Sequence, residues 1–464
     1  MKMGDTNLDV KIPIKNKIGY GMGEAGSQLS WALVSSYLSV YYTDVVGLTP
    51  AVISIIMLVA RVWDAFNDPM FGSIAENTRT KWGRFRPYIL WGAPILALFN
   101  CLTFLNLDIS QGAKAFWCAF TYIGCGMAYT AVNISTGCVA NSMTALNSER
   151  VTLNAFRNGV GQIAGVILSA TAMPIILYFG DGSTSSAKGY FFAALIFSIC
   201  SIPCFWICVA STKEIIGGGT RQKESHVVRE LLTSFKLTFS DRNSRLVMIA
   251  IILCLTGLGG RLGVISYFFV YVINNPAMMA VYMTAFSVGM VLVNFYIPVL
   301  FNHVDKKICG IITCVLQAAC CIATYFLGTS GNYIVITVLG FLFGFTHFCG
   351  NVAFTLAGEI IDDNWLRTGT RADGVIYSSI SFGTKFGNAI GGSVGILLLG
   401  IVGFVANTNI SAAVLTKMNA VINFVPAIFY LAAIIPFAMI RMTNKLGKEN
   451  ELKIKEMTAR QENK

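Results

Sequence analysis

RVWDAFNDP, from Arg61 to Pro69, sets one base and two acids inside an apolar segment that runs from about Pro50 to Ala75. In a helix turning about 100° per residue, Arg61, Asp64 and Asp68 fall within an arc of roughly 60°. The segment around them has the length of a membrane span, which takes about 20 mostly apolar residues. A charge at bilayer depth costs about 2.5–3.5 kcal/mol even on insertion scales, so such side chains face a cavity and mark an ion or substrate path. The plainer reading is an Arg61–Asp64 lock between helices, but one base cannot neutralise both acids.

Outward from this stretch the chain stays apolar. Its 464 residues are 55% hydrophobic and 12% charged, against about 25% charged in soluble domains. Twelve apolar blocks are legible, near 17–43, 50–75, 88–107, 113–139, 152–179, 189–211, 246–273, 277–301, 308–328, 332–358, 374–404 and 417–440. They predict an all-α polytopic membrane protein. The amino terminus is polar through Lys17, and the first block is too long for a cleavable signal, so none is expected.

The net charge of +11 describes topology rather than a nucleic-acid partner. Of 34 Lys and Arg, Lys114, Lys188 and Lys417 fall in outer loops and Arg61, Arg157, Arg261 and Lys385 in spans. The remainder lie in segments assigned to the inside, which places both termini in the cytoplasm of a cell-membrane protein. The thirteen cysteines sit almost wholly in apolar blocks and read as small packed hydrophobes, without a metal-type spacing.

Several blocks carry polar residues in patterns. In GYGMGEAGSQLSW the glycines allow close helix approach, and Glu24 and Gln28, four apart, share a face. In GMAYTAVNISTGCVANS, Gly126, Thr130, Asn133 and Gly137 form one stripe, an oxygen-rich patch suited to a small cation or a hydroxylated ligand. Arg157 opens the next block, placed to gate or to contact a ligand. In YSSISFGTKFGNAIGGSVG, glycines at 383, 387, 391 and 395 form a packing ridge, and Lys385 points away from it toward a polar cavity. His347 reads as a core histidine.

The loops repeat as well. GSIAENTRTKWGRFRP carries Arg79, Lys81, Arg84 and Arg86, and FNHVDKKICG echoes it in the second half. This pairing resembles the major facilitator superfamily, whose halves are parallel six-helix repeats. The expected division is an amino-terminal bundle over 1–212, a linker over 213–245, a carboxy-terminal bundle over 246–441 and a cytoplasmic tail over 442–464. Near the tenth block, Glu359, Asp362, Asp363, Arg367, Arg371 and Asp373 form a charged cluster able to tie the halves together; of these Glu359, Asp362, Arg367 and Arg371, with Arg84, are the candidate gate.

Across RVWDAFNDP, TRTKWGRFRP, YYTDVVGLT and the Lys385 block, the chain resembles the glycoside–pentoside–hexuronide:cation symporter family over essentially its whole length. It departs from the melibiose-carrier pattern, with Gln28 and Asn133 where that carrier has aspartates and Gly137 where it has tryptophan. It looks closer to glucuronide- and xyloside-type carriers. The resemblance implies a cation site of Asp64, Asp68, Thr130 and Asn133 and a sugar site of Glu24, Gln28, Asn133, Arg157 and Lys385. It further implies cation-coupled uptake, by proton or sodium, without a cofactor, by a monomer taking a small sugar across the bilayer. On charge balance, Lys385 would neutralise one of the two carboxylates and the cation the other. If the sugar were a uronide, Arg157 and Lys385 would be its natural carboxylate partners. The competing expectation is a proton-driven exporter of amphipathic compounds, which would favour an apolar, aromatic cavity over acids and amides. With three histidines and no nucleophile–base arrangement, no enzyme is expected.

Overall fold

A computed structural model describes residues 11–144, 146–215, 241–368, 373–408 and 410–462. Its long helices are α1 (Ile14–Val40), α2 (Pro50–Asn77), α3 (Arg86–Thr103), α4 (Gln111–Met143), α5 (Asn147–Phe179), α6 (Ala187–Ser211) and α7 (Arg242–Tyr267). There follow α8 (Ala277–His303), α9 (Lys306–Leu327), α10 (Tyr333–Phe345), α11 (Cys349–Thr368), α12 (Asp373–Ile401), α13 (Ala412–Met439) and α14 (Asn444–Glu462). Prolines sit in the first turns of α2 and α3, where the missing N–H has no helical partner to lose. Asp241 caps α7 by accepting from the Ser244 N–H at 2.8 Å.

Among the described residues, nine stretches are long and apolar enough to cross a membrane, one of them, Tyr333–Arg367, joining α10 and α11. With α1, α2 and α3, which carry the polar side chains Glu24, Gln28, Arg61, Asp64, Asp68 and Asn100, they make up the twelve expected spans.

The chain separates into two compact units, residues 1–224 with 405–408, and residues 225–404 with 409–464. Each opens alike. α1 runs into a π-helical turn at Tyr41–Val45 and α7 into another at Phe268–Val272, a local echo of the repeat. In the first unit α1 lies between α4, α5 and α6. A Cβ on Gly26 would come within 2.9 Å of the Phe205 ring, and one on Gly21 within 2.9 Å of Val160. In the second unit the ridge on α12 faces α7, with Gly383 against Ile251 and Ile252, Gly387 against Leu255, and Gly391 against Thr256 and Gly260.

Three features differ from expectation. The block 332–358 is not one helix, for the chain breaks at 346–348 between α10 and α11. The backbone groups freed there are taken up by polar side chains of α8 and α9. Gln317 Nε2 donates to the Phe343 carbonyl at 2.7 Å, Thr313 Oγ1 to the Thr346 carbonyl at 2.6 Å, and Tyr296 OH to the Phe345 carbonyl. His347 sits buried in the break, its Nε2 3.8 Å from Cys349 Sγ.

The segment 213–245 is not wholly a linker. The Ile215 N–H donates to the Ser142 carbonyl at 2.9 Å, and Glu214 is built into the first unit. Gly217 to Gly219 lie outside the described residues. Nor is 442–464 a plain tail. α14 docks on the second unit: Asn444 donates to the Phe301 and Val304 carbonyls at 3.0 Å each, and Asn450 to Asp363 at 3.2 Å.

At the start of α1, Lys17 Nζ meets Glu149 Oε2 at 2.8 Å, and the Ile12 N–H donates to the same oxygen at 3.2 Å. The hydrogen bond from Lys17 is the chief cause that holds the Glu149 carboxyl below the ordinary carboxylate range. A carboxylate with a lowered folded value contributes stability above its unfolded value, and that contribution disappears as pH falls through the folded one. Melting of detergent-solubilised protein should therefore show a smaller acid-side drop for Glu149→Gln than for wild type. Equal drops would remove this pair from the acid response.

Candidate functional site

The two acids of α2 face α4. Thr130 Oγ1 donates to Asp68 Oδ1 at 2.8 Å. A Cβ on Gly126, one turn earlier, would lie 3.1 Å from Asp64 Oδ1, so the stripe read on α4 meets the carboxylates of α2. Arg61 Nη1 contacts Asp64 Oδ2 at 3.4 Å, and its guanidinium carbon lies 5.4 Å from the Trp31 ring centre. The pair lock thus exists, at the long end of hydrogen-bonding distance, beside an acid that takes a hydroxyl instead.

Trp31 stacks on Tyr129 at 4.6 Å. Asn133, one turn past Tyr129 on α4, approaches the Tyr129 hydroxyl at 3.3 Å and Ser27 Oγ on α1 at 3.5 Å. Both distances are long, so the amide retains capacity for a better partner.

Glu24 and Arg157 form the second feature. Arg157 Nε and Nη2 both donate to Glu24 Oε2, at 2.7 and 2.6 Å. The side chains are only 18% and 15% exposed, arginine first. Two glycines make room: a Cβ on Gly161 of α5 would run into Glu24 Cγ, and one on Gly137 of α4 would lie 3.2 Å from Arg157 Nη1. Gln28 is half-buried one turn along α1.

Of the residues proposed from sequence, the first unit therefore gathers Asp64, Asp68 and Thr130 in one cluster and Glu24 with Arg157 in a pair. Asn133 reaches α1 through Ser27. Lys385 belongs to the second unit, exposed on α12 and away from the glycine ridge, as its spacing predicts. Sequence reading missed Ser27, Trp31 and Tyr129. For Trp31 a signal existed, since 24, 28 and 31 share one helical face.

The candidate gate residues are distributed between the units. In the first, Glu214 accepts from the backbone N–H groups of Arg84, Phe85 and Arg86 at 2.8, 2.9 and 3.1 Å. It thus caps the start of α3, where carboxylates are favoured. The Arg84 side chain reaches Ser142 Oγ at 3.4 Å. In the second unit Lys306 pairs with Glu359 at 2.5 Å, and Arg367 with Asp241 at 3.1 Å and Asp363 at 3.3 Å. Asp362 is half-buried on α11, and Arg371 lies outside the described residues.

Acids, amides and bases inside a twelve-span, two-unit helical protein define a polytopic membrane carrier. The chain belongs to the MFS/sugar transport protein family, whose model matches residues 19–444; it is a transporter and not an enzyme. It is 34% identical to the isoprimeverose transporter of Lactiplantibacillus pentosus, over 91% of this chain and 88% of that one. With a glucuronide carrier protein homolog of Escherichia coli K12 it shares 28% identity, over 93% of each. A crystal structure of a bacterial homologue of the human lysosomal transporter Spinster, inward-facing and unoccupied, superposes with a TM-score of 0.67. That match covers 95% of this chain and all of that one at 10% identity, and it speaks for the fold alone.

Proposed function

We propose that the protein is a cation-coupled symporter, driven by protons or sodium, that carries a glycoside, pentoside or hexuronide into the cell across the cell membrane, both termini cytoplasmic. The observation that supports it most is the α2–α4 cluster, in which Asp68 takes the Thr130 hydroxyl at 2.8 Å beside Asp64. Carboxylate and hydroxyl oxygens are the ligands hard cations take, and a carboxylate is equally a proton carrier. The two relatives, an isoprimeverose transporter and a glucuronide carrier protein homolog, support a sugar cargo.

In this mechanism Asp64 and Asp68, with Thr130 and Asn133, take the cation, and its charge is balanced there before the sugar is committed. Glu24, Gln28, Asn133 and Arg157, with Lys385, hold the sugar. Transport then proceeds by alternating access, with Arg84, Glu359, Asp362, Arg367 and Arg371 as charges made and broken at the cytoplasmic gate. Uptake into membrane vesicles with labelled glycosides and uronides, under proton and sodium gradients imposed separately, tests it. Accumulation with neither gradient, or of no sugar at all, would overturn it. Lys385→Ala is expected to lower the accumulation ratio several-fold at unchanged membrane abundance, and an unchanged ratio would remove Lys385 from coupling.

A further inference from the structure

Resting on the sugar-carrier reading above, we infer that the site of the first unit is built for an uncharged glycoside and rejects uronides. Glu24 is the residue that sets this, because it occupies Arg157. A guanidinium recognises a carboxylate through a fork of parallel N–H donors. On Arg157 the Nε/Nη2 fork is already given to Glu24, both donors converging on the one oxygen Oε2. The arginine's charge is balanced there, so a second carboxylate taken up on Nη1 would leave the group net negative.

The pair is built rather than incidental. Gly161 gives Glu24 its space, and Gly137 leaves Arg157 Nη1 uncrowded. A uronate entering here would either face the Glu24 carboxylate or displace it from Arg157. The first is like-charge repulsion in a largely buried place, and the second leaves a buried acid unpaired. A sugar hydroxyl does neither, since it can accept from Arg157 Nη1 or donate to Glu24 without disturbing the charge balance.

Other bases within spans are also held. Arg61 contacts Asp64. Arg261 is wholly buried, its guanidinium bonded to Tyr282 OH at 3.0 and 3.1 Å, Asn423 Oδ1 at 2.8 Å and Thr324 Oγ1 at 3.1 Å. Lys385, the remaining base within a span, belongs to the second unit and not to this pair.

The experiment measures uptake of radiolabelled methyl β-D-xyloside into vesicles, competed by methyl β-D-glucoside or methyl β-D-glucuronide, which differ at one carbon in bearing a hydroxymethyl or a carboxylate. Wild type should be inhibited by the glucoside at least tenfold more effectively than by the glucuronide. In Glu24→Gln, with the Arg157 fork released, inhibition by the glucuronide should strengthen at least tenfold, and adding Arg157→Gln should abolish that gain. Should Glu24→Gln not reach the membrane, Glu24→Met, uncharged and of similar size, carries the same expectations. Wild type accumulating or binding the glucuronide as well as the glucoside overturns the inference while leaving sugar symport standing. So does a folded Glu24 variant that gains nothing for the glucuronide. Wild type accumulating no sugar sinks the symport reading beneath it, a distinguishable result.

Discussion

Asp68→Asn should reach the membrane at normal abundance and equilibrate sugar without concentrating it. One charge moved through a 100 mV potential is worth about 2.3 kcal/mol, and a tenfold ratio takes about 1.4 kcal/mol, so the proposed coupling to one cation would support an accumulation of roughly forty-fold. The amide keeps the size of the side chain and can still accept from Thr130 Oγ1, which lies 2.8 Å from Asp68 Oδ1, so packing is preserved while the anionic charge is lost. The expected result is a ratio near one under an imposed gradient, with counterflow exchange of sugar retained. A mutant that still concentrates sugar would take Asp68 out of the coupling mechanism, and loss of exchange as well would make it a substrate or folding residue.

Gly391→Leu should abolish the folded protein. A Cβ at this position would meet the Thr256 carbonyl oxygen and lie 2.5 Å from the Gly260 nitrogen. Both are backbone atoms of α7, so no flexible side chain can swing aside. Overpacking an ordinary core costs about 1–3 kcal/mol, and forcing two helix backbones apart exceeds that, against a total stability of about 5–15 kcal/mol. Size-exclusion chromatography of the solubilised variant should show aggregate in place of a monodisperse peak. By contrast Gly392→Ala, whose added Cβ would have only the Gly259 carbonyl oxygen near it, at 3.9 Å, should be well tolerated. A monodisperse Gly391→Leu would show that the α7–α12 contact yields.

These two residues also mark what the sequence can disclose. A ridge of glycines every four residues and two acids on one helical face are periodic signals, visible because helix geometry is fixed. The partner of Asp68 was legible for the same reason, Thr130 lying on a polar stripe. The Glu24–Arg157 pair was not, since both residues were visible but nothing local joins positions 133 apart. Glu214 was hidden differently. It follows an apolar block, precedes three glycines, and acts on backbone N–H groups that carry no side-chain signature. α14 lacks an apolar face long enough to announce a helix, and it is held by Asn444 and Asn450 reaching groups on the second unit.

The break between α10 and α11 bears on how the chain is made. Unpaired backbone groups in hydrocarbon cost several kcal/mol each, so a broken span is a poor passenger in lipid on its own. Its acceptors at Phe343, Phe345 and Thr346 find donors in Gln317, Tyr296 and Thr313, all of which precede it in the chain. During synthesis, therefore, the donors leave the ribosome before the groups that require them, and α8 and α9 stand ready as the receiving surface. A rearranged gene in which α10 emerged first would ask the bilayer to hold an unsatisfied helix end, and quality control would meet that intermediate at every round of translation.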